Sequence, residues 1–237
     1  FKALRAILNR ANAEGVGSAA TYPFGRGGFE VSKLEEATAK RYLPAAELSK
    51  LKSSMASNPQ CEYARKLFLF SYYCYGISFI DMAMLTTAHI KQMEDGDYIV
   101  YKRQKIKRQK GVKPISIKIT PAIQQLIGSL QAGSPTVDDF LLPIVTRSGY
   151  TGERLYMHIR TRYSKYQKYL RLLAEELGID FHLTSYVSRH TAAMTLQRNH
   201  IPREVISQML GHADLETTNI YLDSFDNGVI NEAAKVL

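Results

Sequence analysis

Arg189-His190, Leu210-Gly211-His212 and Thr217-Thr218-Asn219-Ile220-Tyr221 carry the reading of this chain. His212 follows Arg189 by 23 positions and Tyr221 follows His212 by 9. Each piece alone is bland. An Arg-His pair on a helix is ordinarily an exposed arginine beside a packed histidine, a histidine after glycine ends a helix, and an amphipathic tyrosine lies at a surface. The joint spacing argues against coincidence. Around these residues the pattern predicts short helices over 186–199, 202–209, 215–221 and 227–236, joined by loops of a few residues.

Upstream, residues 155–177 read as a long helix bearing Arg160, Arg162, Lys165, Lys168 and Arg171, with almost no acid before Glu175. Residues 121–130 form a helix by their proline start and apolar spacing. Residues 98–101 and 114–119 alternate as two strands of a hairpin, with 102–113 at its tips, a turn near Gly111, and Arg103 on the first strand. Residues 62–80 are apolar enough to be one central buried helix, and Pro44 suits the first turn of a helix reaching about 55. Residues 1–14 make a helix with Leu4, Ile7 and Leu8 on one side, which cannot bury that side alone. It reads as the end of an N-terminal domain (1–20), followed by a linker (21–40) and a main domain (41–237) that closes with a helix over 226–237. The fold class expected is mainly α with a small antiparallel sheet.

The 237 residues carry a formal charge of +9, which makes a polyanion the natural partner. Net charge alone leaves that open, and its distribution says more. From residue 98 to 137 there is no acid, while Lys102, Arg103, Lys105, Lys107, Arg108, Lys110 and Lys113 crowd the hairpin. Taken alone, such a run is a solvated arm. Cys61 and Cys74 are too few for a disulfide framework and point to a reducing, cytoplasmic setting. The most apolar run, 67–85, is broken by Ser71, Gly76, Ser78 and Asp81, so no membrane span is expected. His158, His182, His190, His200 and His212 show no helical pair with carboxylates, and the cysteines form no Cys-x-x-Cys, so neither metal nor cofactor is expected.

In the Arg-His, Leu-Gly-His and Thr-Thr-x-x-Tyr boxes and their spacing, the chain resembles the tyrosine recombinase (phage integrase) family. Its wording at 70–85 and 183–190 is similar to integrases of Bacteroides-type mobile elements. The resemblance implies the DNA breaking-rejoining catalytic fold for 41–237 and the last helix of a core-binding domain at the N-terminus. It also implies strand transfer through a 3′-phosphotyrosyl intermediate. Tyr221 would be the nucleophile. Arg189 and His212 would stabilise charge on the scissile phosphate without a metal. Lys105 would be the general acid on the 5′-oxygen, with Lys102, Lys107 and Lys110 close by in sequence. Duplex DNA would be the partner, held by Lys102, Lys107, Arg108, Lys110, Arg160 and Arg162. Assembly would be a tetramer on DNA, its C-terminal helix, with Ile230, Ala233, Val236 and Leu237, docking on a neighbour, and accessory DNA-bending proteins would take part.

Two positions depart from the family pattern. Gly76-Ile77-Ser78-Phe79-Ile80-Asp81 aligns with the Gly-x-Arg-x-x-Glu box and puts Ser78 where the first catalytic arginine is expected. Tyr186 stands where a histidine is expected. Loss of a charged donor costs orders of magnitude in rate, and Arg103 is the candidate substitute. A phenol at 186 still hydrogen-bonds a phosphate oxygen. Ser78 also supports a rival reading, an inert DNA-binding module on the same fold. A relaxing topoisomerase with a tyrosine nucleophile is a second rival, opposed by the Leu-Gly-His box and the core-binding-like helix.

Overall fold

Asn58 and Pro59 start the helix around which the core forms. In the computed structural model, which describes residues 1–25, 28–30 and 42–212 together with Thr218 and Leu222, α3 spans Pro59–Tyr73. The Asn58 side chain accepts hydrogen bonds from the Gln60 and Cys61 amides, and Pro59 sits where its missing N–H costs nothing. Leu67, Phe68 and Phe70 are buried on successive faces, so α3 (Pro59–Tyr73) is enclosed on several sides. Its neighbours are α5 (Pro121–Gly133), α6 (Gly152–Glu176) and α7 (Val187–Arg198). Arg65 locks α2 (Ala45–Ser53) beneath it, gripping Glu62 with Nε and Nη2 at 2.7 Å each and donating from Nη1 to the Leu51 carbonyl.

The central helix is shorter than the sequence pattern predicts. It stops at Tyr73, because Tyr75 (φ 58°) and Gly76 (φ 71°) both take left-handed backbone. The chain restarts in α4 (Phe79–Ala83), capped by the Ser78 hydroxyl. This break turns residues 76–78 toward the start of α7.

Three strands follow, β1 (Ile90–Met93), β2 (Gly96–Tyr101) and β3 (Ile115–Lys118), antiparallel in the order β1-β2-β3. Pairing sets Ile99 against Ile117 and Tyr101 against Ile115, and all four are buried. That single apolar face gives the alternation read from the sequence. β1 escaped that reading because one half-buried residue followed by three exposed ones leaves no period of two. Arg103 is not on the first strand as expected. It lies past β2's end at Tyr101, where turns take over, with Ile106 N bonded to Arg103 O at 3.1 Å and Gly111 at φ 77°.

Past the sheet, α5, α6 and α7 complete the main core. A second cluster joins Ala193 and Met194 of α7 to Ile206 and Leu210 of α8 (Arg203–Leu210) and to Leu222. The helices expected over 215–221 and 227–236 lie outside the described residues, as does Tyr221. The chain forms two compact units, residues 1–39 and 40–237. The first contains α1 (Lys2–Ala13), on which Leu4 and Ile7 are exposed, and the rings of Phe1, Phe24 and Phe29. Among the described residues no helix is long and apolar enough to cross a membrane.

Candidate active site

Two serines fix the start of α7. Ser188 Oγ lies 2.7 Å from Ser71 Oγ, and Ser71 Oγ donates to the Ile77 carbonyl at 2.8 Å. The end of α3, the 74–77 turn and the first turn of α7 are thereby one unit, and Arg189 projects from it. Arg189 is only 4% exposed. Its Nη1 donates to the Gly76 carbonyl at 3.1 Å, its Nη2 donates to the Leu210 carbonyl at 2.5 Å, and Nη2 also lies 2.8 Å from His212 Nε2.

Guanidinium only donates, so His212 Nε2 must accept, and the ring proton therefore sits on Nδ1. Nδ1 then donates to Thr218 Oγ1, 2.8 Å away. A backbone carbonyl and an imidazole nitrogen are weak rivals for a guanidinium that a phosphate approaches. The geometry holds Arg189 ready for an anion while keeping it solvated by protein.

Gly211 brings the hairpin into the same place. It ends α8 at φ 64°, and a Cβ there would lie 2.4 Å from Ile115 Cδ1 and 3.3 Å from Arg103 Cδ. A side chain there would have to displace the tip of Ile115 and crowd Arg103, and the positive φ itself favours glycine. Arg103 Nη1 donates to the Gly211 carbonyl at 3.3 Å, so the two arginines bond to the neighbouring carbonyls of Leu210 and Gly211. Their charges reach further. Burial, aided by the Asp81 carboxylate, pushes the Tyr101 hydroxyl well above its ordinary range, against the opposing pull of Arg189 and Arg103. Burial first, and then Arg189, lowers the pKa of His190.

In front of the arginines lies a cleft of about 410 Å³. Ser78, Phe79, Arg160, Tyr163 and Tyr186 form its walls, with Arg103 and Arg189 at the same opening. It is a largely apolar slot with cationic groups converging on it, and its reactive capacity is to hold an anionic centre.

A profile of the phage integrase family matches residues 41–227. The chain belongs to that family.

The tyrosine recombinase XerD of Halalkalibacterium halodurans is 43% identical over 54 residues, covering 23% of this chain and 18% of its own. XerD of Brucella abortus is 31% identical over 121 residues, 48% of this chain and 36% of its own. The chain thus spans about a third or less of the length of these relatives. Among solved structures, the Tn1549 transposon integrase in complex with a circular intermediate DNA superposes with a TM-score of 0.63 at 13% identity, over 100% of this chain and 77% of that one. The XerH site-specific recombinase bound to difH substrate gives 0.58 at 17% identity, over 98% and 61%. These likenesses show the integrase catalytic fold, mainly helical with one small antiparallel sheet.

Measured against the family's boxes, the fold gathers Ser78, Arg103, Arg160, Tyr186 and Arg189 around one cleft and bonds His212 to Arg189. Tyr186 is half exposed, with its ring 5.3 Å from that of His190. Lys105 is exposed in the 102–113 segment together with Lys102, Lys107, Arg108 and Lys110, and it does not line the cleft. Arg162 lies on a different face of α6, its guanidinium 5.8 Å from the Tyr63 ring. Among the described residues no group of three His, Cys, Asp or Glu could hold a metal. Sequence reasoning missed the Ser71–Ser188 contact and the part played by Asp81, which accepts the Gln104 amide at 2.6 Å. An Asp in the Arg-x-x-Glu box was the available signal for the second, and nothing local signals the first.

Proposed function

We propose that this chain is the catalytic part of a site-specific DNA recombinase that cleaves and rejoins strands by transesterification. The observation that carries the reading is that Arg189 and Arg103 bond to the neighbouring carbonyls of Leu210 and Gly211, beside the cleft, with His212 held against Arg189. In this reading the Tyr221 oxygen attacks phosphorus as its phenolic proton passes to solvent, the 3′-phosphotyrosyl bond forms and the bond to the 5′-oxygen breaks. Arg189 holds the equatorial oxygens as charge accumulates, and His212 joins it in its protonated form, its Nε2 released when the phosphate takes over the Arg189 guanidinium. Arg103 supplies the guanidinium that Ser78 lacks, Tyr186 donates a phenolic hydrogen bond, and Lys105 protonates the leaving 5′-oxygen when DNA draws the hairpin tip inward. Bond energy is kept in the phosphotyrosine, so rejoining needs no ATP.

The partner is duplex DNA, held by the hairpin cations and by Arg160 and Arg162, inside a bacterial cytoplasm. The same reading includes a core-binding domain of which residues 1–20 are the end, a tetramer closed by the C-terminal helix, accessory DNA-bending proteins, and a Bacteroides-type mobile element as the setting. Incubating the protein with a nicked duplex, whose cleaved end diffuses away, is expected to give a covalent adduct that mass spectrometry maps to the peptide containing Tyr221. Tight duplex binding with no adduct would favour the inert DNA-binding module, for which Ser78 speaks.

The hairpin cations supply a second test. Lys107→Ala and Arg108→Ala are expected to weaken binding about equally across DNA sequences. Each should lower the slope of log affinity against log salt by about 1, as for lost phosphate contacts. Unchanged slopes in electrophoretic titrations at several salt concentrations would remove these residues from the interface.

A further inference from the structure

Ser78 sits where the family carries an arginine, yet its hydroxyl is fully engaged. Oγ accepts the Asp81 amide at 3.3 Å as the cap of α4 and donates to Asp81 Oδ2 at 2.6 Å. Asp81 is 3% exposed, and its other oxygen, Oδ1, accepts the Gln104 amide at 2.6 Å. Both bonds to this carboxylate come from neutral donors at short distance, which is the geometry of strong, charge-assisted hydrogen bonds. The Gln104 amide belongs to the peptide unit that begins at the Arg103 carbonyl, and that carbonyl accepts the Ile106 amide at 3.1 Å. The unit is therefore gripped at both ends, which fixes the backbone from which the Arg103 side chain departs toward Gly211.

We propose that Ser78 and Asp81 form a positioning relay, in which the serine hydroxyl orients the carboxylate, the carboxylate fixes the peptide between Arg103 and Gln104, and that peptide aims Arg103 at the phosphate site. The serine is then not a mere loss. It couples the position that lost the guanidinium to the residue that supplies one. This deepens the proposed recombinase reading and rests on Arg103 acting at the phosphate.

A cap alone predicts the same variants to be less stable, so the test must separate positioning from folding. On the nicked duplex, Ser78→Ala is expected to slow adduct formation about tenfold and Asp81→Ala about a hundredfold, the scale of a displacement of roughly 1 Å at a reacting centre. Asp81→Asn keeps an acceptor for Gln104 and a partner for Ser78, and is expected to stay within about threefold of the parent rate. The deciding comparison is a double-mutant cycle. In an Arg103→Ala background, removing Asp81 should cost little more, because the residue it aims is gone.

The Arg103 Nε–H resonance, identified by its loss in Arg103→Ala, gives a readout without cleavage. Ser78→Ala and Asp81→Ala should shift it toward the position of a free arginine side chain, while Asp81→Asn leaves it in place. This readout decides the matter where the Arg103→Ala protein forms too little adduct to follow. If Arg103→Ala cleaves at the parent rate, the reading of Arg103 falls and takes the relay with it. If Arg103→Ala collapses cleavage, but Asp81→Ala costs the same factor in both backgrounds or the Arg103 resonance stays put in Asp81→Ala, only the relay is overturned.

Discussion

Arg189→Ala is expected to reduce single-turnover adduct formation on a nicked duplex by about three orders of magnitude. The loss of one pre-aimed donor to a charged transition state costs roughly 10²–10³ in rate. Arg189 adds a second effect, because it also keeps His212 in register through the 2.8 Å contact with Nε2. The same variant strands the buried carbonyls of Gly76 and Leu210, each of which loses a guanidinium donor. Stability should therefore fall by about 2–6 kcal/mol, at roughly 1–3 kcal/mol for each unsatisfied buried group. Melting and cleavage must be read together. Arg189→Lys restores one cation but cannot reach two carbonyls and an imidazole at once, so it should recover part of the stability and little of the rate. A folded Arg189→Ala protein that cleaves within tenfold of its parent would exclude a transition-state role for this arginine.

Much of the architecture was legible because it rests on local period. Tyr98 to Tyr101 and Ile115 to Ile117 alternate since one face of the sheet is buried, and Pro121 and Gly211 mark helix ends by their own backbone limits. What escaped has no local period. Gly76 is the one helix-ending signal in the apolar run through residues 74–80, and the break begins a residue before it, where Tyr75 takes φ 58° without being a glycine. β1 is short and mostly exposed. At the candidate site, spacing and charge single out Arg189, His212 and Arg103. The bonds that make them one site could not be read that way, since Arg189 reaches 113 positions to Gly76 and Arg103 reaches 108 to Gly211. Such contacts exist only once the core has packed. Tyr221, the proposed nucleophile, lies outside the described residues and stands on its spacing from His212.

Gly76→Ala is expected to be the most damaging Gly→Ala change among the described residues. A Cβ at this position would lie 2.3 Å from Arg189 Cα, 2.5 Å from its Cβ and 2.6 Å from its Cγ, and the backbone is at φ 71°. The first obstacle is α7 itself, which Ser188 pins to Ser71 and which cannot retreat without breaking that bond. Overpacking in a rigid core costs about 1–3 kcal/mol, and the left-handed conformation adds about 1–2 kcal/mol for a residue with a side chain. The sum, about 2–5 kcal/mol, is a large part of the stability of an ordinary domain. Gly178→Ala isolates the second contribution, because Gly178 has φ 60° but a methyl added there would meet nothing within 4 Å. It should cost only about 1–2 kcal/mol and leave cleavage unchanged. Any Gly76→Ala protein that still folds should cut far more slowly, since the methyl pushes on the carbon atoms that carry the Arg189 guanidinium. Equal denaturation midpoints for the two variants would mean that α7 yields freely at Arg189, and the close backbone approach could then not be what aims that guanidinium.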